Sequence, residues 1–378
     1  LILQGAANAG CGTCVDAAGV PAVVATIEGS WAGAAYVNDE EQPLLLGRVN
    51  EVDGALFRVL PLNTDGAPGG DAVDLLTTND ASETGSVAAA WGAGTLGLAW
   101  PYENDVQFAS FDRDYYPIAP AARVSYFADG VGSPAIHYGD DAFGIVAPAR
   151  LGNQEWYYSS VRDDGTRLVD AVSVDLAGSP AAMESSGSEL GAISLIEDAA
   201  YNEHAYAFVA LGPTGQIGST QRLDEEEAWH IAGGDLAWVS TGWWVAWGTD
   251  YYSESSGWVG ADNGGTLRLH RLSPTGESVD TVALVSFDGD DVALSTVRIA
   301  RDGSGLVAWI REDGQAGVVR AGDDLHATGC AAVTTVEPGM RLLRVTATGD
   351  HDVEAMFLRD DDDATSFLRW NATLVEED

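Results

Sequence analysis

The chain has 378 residues, 46% hydrophobic and 20% charged, which is the composition of a protein with a large core, and no apolar stretch reaches the ~18 residues of a membrane helix. Its 58 acidic residues face 18 basic ones, all arginine, for a formal charge of -40. A polyanion of that size is repelled by nucleic acid and anionic lipid, and the lack of lysine removes Schiff-base chemistry and lysine-based phosphate loops. Dense carboxylates are first explained by a salty habitat, where they keep a surface hydrated; the functional reading is attraction of cations or basic partners.

Residues 1–21 read as an N-terminal segment. The first residue is Leu1 rather than methionine, so the segment is expected to be the start of a mature or trimmed product that has lost a signal peptide. That points to a secreted, periplasmic or cell-surface protein. The stretch "GCGTC" holds Cys11 and Cys14, and Cys330 is the third cysteine. One disulfide with one thiol left over is the simplest arithmetic for an exported chain. A zinc or redox site would also use C-x-x-C, but no second pair and no βαβ pattern accompanies it.

From residue 22 to 378 the chain reads as one all-β unit. Helical stripes are absent, and Gly, Asp, Ser and Thr interrupt runs of five to nine residues rich in Val, Trp, Tyr, Leu and Ala, which are strand signals. Seven such runs align: "SWAGAAYVND" from 30, "TLGLAWPYEND" from 95, "AFGIVAPARLGN" from 142, "AYAFVALGPTG" from 205, "GWWVAWGTD" from 242, "SGLVAWIREDG" from 304 and "DVEAMFLRDDDD" from 352. Their starts differ by 65, 47, 63, 37, 62 and 48 residues, the scale of a four-stranded propeller blade. Weaker strands precede the runs, as in "DLAWVST" at 235 and "LSTVRIARDG" at 294; third strands follow in "EWYYSSVRDDGTRLVD" and "TLRLHRLSPTGESVD", where "DDG" and "PTG" are hairpin turns.

The pattern predicts a seven-bladed β-propeller of four-stranded antiparallel blades. Each apolar run is read as a second strand, covered on both faces by neighbouring blades. Trp91, Trp100, Trp243, Trp244, Trp247 and Trp309 are therefore expected in the core. After the seventh run the chain has room for one clear strand, so the last blade lacks one. Ring closure by the N-terminal segment, through "LILQG" at 1–5 or the stretch around Val20 to Ala25, would supply it.

The recurring "GWWVAW … RLSPTGESVD" and "GLVAW … VVRAGDDL" format resembles the degenerate repeats of secreted bacterial β-propellers. The likeness spans about 22 to 375 at the level of fold; there is no WD dipeptide, no kelch double glycine with its paired aromatics and no complete Asp-box. It implies export and a binding platform, and it transfers no catalytic residue.

Connections between second and third strands share one rim of a propeller. The sequence assigns "NDEEQ" at 38, "YEND" at 102, "GNQE" at 152, the long loop 248–265, "REDGQ" at 311 and "RDDDDAT" at 359 to that rim. Converging carboxylates would make a negative funnel for cations or basic partners. Asp360, Asp361, Asp362 and Asp363 are the candidate ligands for a hard cation such as calcium, although EF-hand spacing is missing and a solvated turn explains them too. In the long loop, Tyr251, Tyr252 and Trp258 are candidates for stacking on sugars or anchoring a protein, or else for packing on the blade below. No nucleophile elbow occurs, and the six histidines lack ligand spacing and read as structural. The expected function is a non-catalytic interaction or scaffold propeller, a subunit of a cell-surface assembly binding protein or glycan. The alternative is a carbohydrate-active enzyme or lectin working through the acidic rim.

Overall fold

A computed structural model describes residues 13–14, 19–28, 32–37, 43–51, 54–63, 68–78, 87–126, 130–149, 155–176, 178–186, 189–198, 203–212, 214–223, 230–239, 242–250, 266–287, 294–360 and 364–374. Among the described residues every regular element is a β-strand. The N-terminal segment 1–21 holds β1 (Thr13–Cys14), and β2 (Ala22–Glu28) follows it as the first strand of the all-β unit. Counted from the axis outward, blade 1 is β3 (Ala32–Val37), β4 (Leu44–Glu51), β5 (Gly54–Pro61) and β6 (Val73–Thr78); blade 2 is β7 (Ala88–Gly92), β8 (Thr95–Tyr102), β9 (Asp105–Phe111) and β10 (Pro117–Tyr126). Blade 3 is β11 (Ala135–Gly139), β12 (Ala142–Pro148), β13 (Trp156–Val161) and β14 (Arg167–Val174); blade 4 is β15 (Ser179–Ser185), β16 (Leu190–Asp198), β17 (Glu203–Gly212) and β18 (Gly215–Leu223). Blade 5 is β19 (His230–Val239), β20 (Gly242–Asp250), β21 (Thr266–Leu272) and β22 (Ser278–Ser286); blade 6 is β23 (Leu294–Ile299), β24 (Leu306–Arg311), β25 (Gln315–Arg320) and β26 (Ala331–Thr335). Blade 7 is β27 (Arg341–Ala347), β28 (Asp352–Asp360), β29 (Ala364–Thr373) and, returning from the start of the chain, β2.

The innermost strands touch in sequence from β3 through β27, and β27 touches β3. This is a closed seven-bladed β-propeller. Within blades all pairs are antiparallel; β2 aligns on β29 from Ala22 opposite Arg369 to Glu28 opposite Ala364. One further strand departs from the four-stranded plan: β1 adds in parallel to β26, making blade 6 five-stranded.

Seven apolar clusters fill the seams between neighbouring blades. The run Gly242–Asp250 shows why it is apolar throughout. Trp243, Val245 and Trp247 face blade 4, with Tyr206 and Phe208, while Trp244 and Ala246 face blade 6, with Leu294, Val297 and Trp309. Alternation along β20 thus serves two cores at once, so no position is left for a polar side chain. Trp243 lies edge-on to Trp238 at 4.9 Å, and its indole N–H donates to the carbonyl of Pro274 at 3.0 Å. All six tryptophans expected in the core are buried. Close approach sets the glycines beside them: a Cβ on Gly191 would stand 2.9 Å from the Trp243 ring, and one on Gly97 would stand 2.6 Å from Phe143.

Two of the seven runs occupy other strands than expected. The run from 30 is the innermost strand β3, and the second strand of blade 1 is β4, whose Leu44, Leu45 and Leu46 are fully buried. The run from 205 is the third strand β17. Second and third strands are both sandwiched, so apolarity alone does not separate them. Starts of the true second strands, 44, 95, 142, 190, 242, 306 and 352, differ by 51, 47, 48, 52, 64 and 46, a tighter period than the runs gave. The long interval contains the extended connection after β20.

Expected turns form as hairpins. Gly165 and Gly276 take positive φ, and their N–H groups donate to Arg162 O at 3.0 Å and Ser273 O at 2.9 Å, closing type I turns with a following glycine bulge. Replacing Trp243 by alanine should cost about 3–5 kcal/mol in chemical denaturation, with strand content retained, because it removes a buried ring and strands the Pro274 carbonyl.

Candidate functional site

Innermost strands line the axis of the ring, so charged side chains on neighbouring ones can meet there. Four such groups, from four successive blades, converge. His137 comes from β11, Glu184 from β15, Asp235 from β19, and Arg301 from the turn after β23. His137 Nε2 lies 3.0 Å from Glu184 Oε1, and Arg301 Nε lies 2.5 Å from Glu184 Oε2. Arg301 Nη2 lies 2.8 Å from Asp235 Oδ1, and its Nη1 donates to Ile299 O at 3.0 Å. The second oxygen of Asp235 accepts from Ile299 N at 2.8 Å. Arg301, in blade 6, thereby reaches past blade 5 to a carboxylate of blade 4, crossing the channel near the end where innermost strands turn into second strands.

Electrostatics follows from this geometry. Protein surrounds the cluster, yet the Arg301 side chain keeps 28% and that of His137 26% of their surface accessible, as befits groups lining a channel. Burial opposes ionisation of Glu184, but the charges of Arg301 and His137 overcome it and hold its pKa down at about 2. Burial likewise works against protonated His137, yet Glu184 outweighs it and the pKa is raised. Its Nδ1 meets the Tyr138 carbonyl at 2.9 Å, so both ring nitrogens face acceptors, the arrangement of an imidazolium. Arg301 is raised as well, because Asp235 and Glu184 outweigh its burial. Two cations and two anions neutralise one another.

A second buried histidine behaves oppositely. His270 on β21 meets Ser278 Oγ at 3.0 Å through Nε2 and Thr281 Oγ1 through Nδ1. Burial lowers its pKa to about 4, against the pull of Asp280. It is neutral and structural.

The rim predicted from sequence is only partly assembled as expected. "YEND", "GNQE", "REDGQ" and "RDDDDAT", together with the long loop, do connect second to third strands. "NDEEQ" instead connects β3 to β4 and belongs to the opposite rim, a consequence of the shifted assignment of blade 1. Asp313 in "REDGQ" is engaged by its own turn, accepting from Gln315 N at 3.0 Å and pairing with Arg311 at 3.1 Å. Glu155 accepts from the Tyr157 hydroxyl at 2.7 Å. Asp105 has a raised pKa through burial, with Glu103 adding repulsion and Arg123 opposing. Tyr251, Tyr252, Trp258, Asp361, Asp362, Asp363 and Cys11 lie outside the described residues, as does the side chain of Asp360 at the end of β28. Cys14 lies in β1, and Cys330 is buried just ahead of β26. Among the described residues no group of three His, Cys, Asp or Glu side chains could hold a metal ion, and no helix is long and apolar enough to cross a membrane.

No protein-family model and no curated protein matches the chain. Solved structures do. Hydrazine synthase of Kuenenia stuttgartiensis superposes with a TM-score of 0.54 at 10% identity, over 87% of this chain and 94% of that one. The β-propeller domain of Myceliophteria thermophila Cps50 (Swd1) gives 0.52 at 10% identity, over 92% of this chain and 99% of that one. The likeness is one of fold. At such identities no residue role carries across.

Sequence reasoning missed the channel cluster. Asp235 and Arg301 stand in "DLAWVST" and "LSTVRIARDG", the weak strands ahead of the apolar runs, and charges recurring there were the available signal. Arg301→Met, which abandons two buried carboxylates, should cost about 3 kcal/mol or more in denaturant unfolding. The two histidines should separate in thermal unfolding against pH. Stabilisation by His137 is complete below its unfolded pKa of about 6.5 and disappears as pH rises through its raised folded value, so His137→Gln should lose most at pH ~6. Stabilisation by neutral His270 is present above ~6.5 and fades as pH falls toward 4, so His270→Gln should flatten that acid limb.

Proposed function

We propose that the chain is an exported, non-catalytic interaction propeller that binds a partner bearing basic groups, protein before glycan, as a subunit of a cell-surface assembly. The observation that carries this reading is the saturation of the channel cluster: Glu184 and Asp235 are committed to Arg301, His137 and a backbone N–H. With its pKa at about 2, Glu184 stays ionised at working pH and has no proton to give a glycosidic oxygen, which the carbohydrate-active alternative requires of one carboxyl. A channel cluster whose charges are paired with one another supports a scaffold. The excess negative charge is left to the surface, where the second-to-third-strand connections gather Glu103, Asp105, Glu312 and the aspartate tract on one rim, suited to steering a cationic surface.

The test is affinity capture with the full chain and with a rim variant carrying Glu103→Gln, Asp105→Asn, Glu312→Gln and Asp361, Asp362 and Asp363→Asn. A partner retained by the wild type at low ionic strength should be lost with the variant, and lost from the wild type at about 0.5 M salt, where screening falls below ~5 Å. Capture that ignores both changes, or release of sugar from a polysaccharide by the purified chain, would overturn the proposal.

A further inference from the structure

We propose that Cys330 and the C-x-x-C pair form a covalent clasp that fastens the N-terminal segment across the place where the ring closes. This inference rests on the fold and is independent of the binding role above. Strand β1 lies along β26 with Thr13 opposite Ala331 and Cys14 opposite Ala332, which brings the C-x-x-C segment beside Cys330, one residue ahead of β26. The Cys330 sulfur is engaged in a disulfide. With three cysteines in the chain, its partner is Cys11 or Cys14. A two-residue parallel pairing contributes little by itself, and the covalent bond accounts for its presence.

The position of the clasp gives it a task. From β1 on the outer edge of blade 6 the chain passes Gly19, whose carbonyl accepts from Thr334 Oγ1 at 3.3 Å, and then enters β2 on the outer edge of blade 7. The strand that completes the ring is therefore tethered, a few residues upstream, to the blade before the one it completes. Release of the tether leaves β2 held by its ladder to β29 and by the packing of Val24, Ala25 and Ile27 on the seam between blades 7 and 1. Formation of the bond removes two protons and two electrons from two thiols; the acceptor is the disulfide of a thiol–disulfide oxidoreductase, which is reduced to a dithiol. The third cysteine remains a thiol.

The test begins with the chain purified without reductant, its free thiols blocked with iodoacetamide, digested and mapped by mass spectrometry. The expected linkage joins Cys330 to Cys11 or Cys14; a Cys11–Cys14 linkage with alkylated Cys330 overturns the proposal. Dithiothreitol, which becomes a cyclic disulfide as it returns both thiols, should then lower Tm by about 5–10 °C, since the loop opened is longer than 300 residues. Hydrogen exchange should rise first in residues 22–28 and in their partners 364–369. C330S should match the reduced wild type and ignore reductant; if it fails to fold, reduction of the folded wild type supplies the reading. Unchanged Tm, or exchange that rises evenly around the ring, refutes the clasp.

Discussion

A strand with apolar side chains on both faces must be covered twice, and the architecture follows from meeting that demand repeatedly. One sheet packed on another covers one face of each and leaves two faces in water. A ring of sheets leaves none. Each seam holds its own cluster, from Val37, Phe57 and Trp100 between blades 1 and 2 to Leu45, Met356 and Phe367 between blades 7 and 1. Large rings such as Trp243, Trp247 and Trp309 fill the seams, and glycines make room for them, Gly191 beside Trp243 and Gly317 beside Trp309. The packing is continuous around the ring, so loss of one seam is felt by both neighbours.

Polar connections run along the inner side of the same ring. His137, Glu184, Asp235 and Arg301 join blades 3 to 6, and Asp302 continues the series into blade 7 by accepting from Thr346 Oγ1 at 2.9 Å and Ala347 N at 2.8 Å. Burial opposes the ionisation of Asp302, but these donors and those of Ser304 hold its pKa down. The seam between the last and first blades adds its own pair, Arg344 to Glu354 at 2.7 Å, on the face of β28 that also carries Met356 and Leu358 toward blade 1. Buried pairs of this kind contribute little net stability over an apolar filling, because desolvation offsets attraction. What they oppose is displacement: a blade shifted by one residue would strand a charge.

The sequence made the architecture legible because two-faced burial writes itself as local composition. Runs such as "GWWVAWGTD" and "GLVAWI" are unlike helices and unlike one-sided strands, and their recurrence disclosed both the class of fold and the number of blades. Strand order inside a blade was less legible. "AYAFVALG" is apolar because β17 is sandwiched, and the same is true of the second strand beside it. The channel cluster was hidden for a different reason. His137 and Arg301 are 164 positions apart, one in a strand and one in a turn without strong patterning, and only ring geometry brings them to one carboxylate. The rim was legible where the repeat was correctly phased and misplaced where "NDEEQ" followed a wrongly phased run. Its longest loop, with Tyr251, Tyr252 and Trp258, had no periodic pattern from which to read a conformation.

The pairing of β2 with β29 also bears on how the molecule is made. Thr26 and Ser366, whose hydroxyls meet at 3.2 Å, are 340 positions apart. During translation β2 leaves the ribosome early and waits for nearly the whole polypeptide before its ladder can form, whereas each intervening blade assembles from neighbouring hairpins. Loop-closure entropy thus favours the local sheets forming before the long-range union, which has the highest contact order of the ladder pairings described. Until it occurs, β2 and the open edge of β29 are unsatisfied, and a nascent chain is most exposed to mispairing with another copy in that interval.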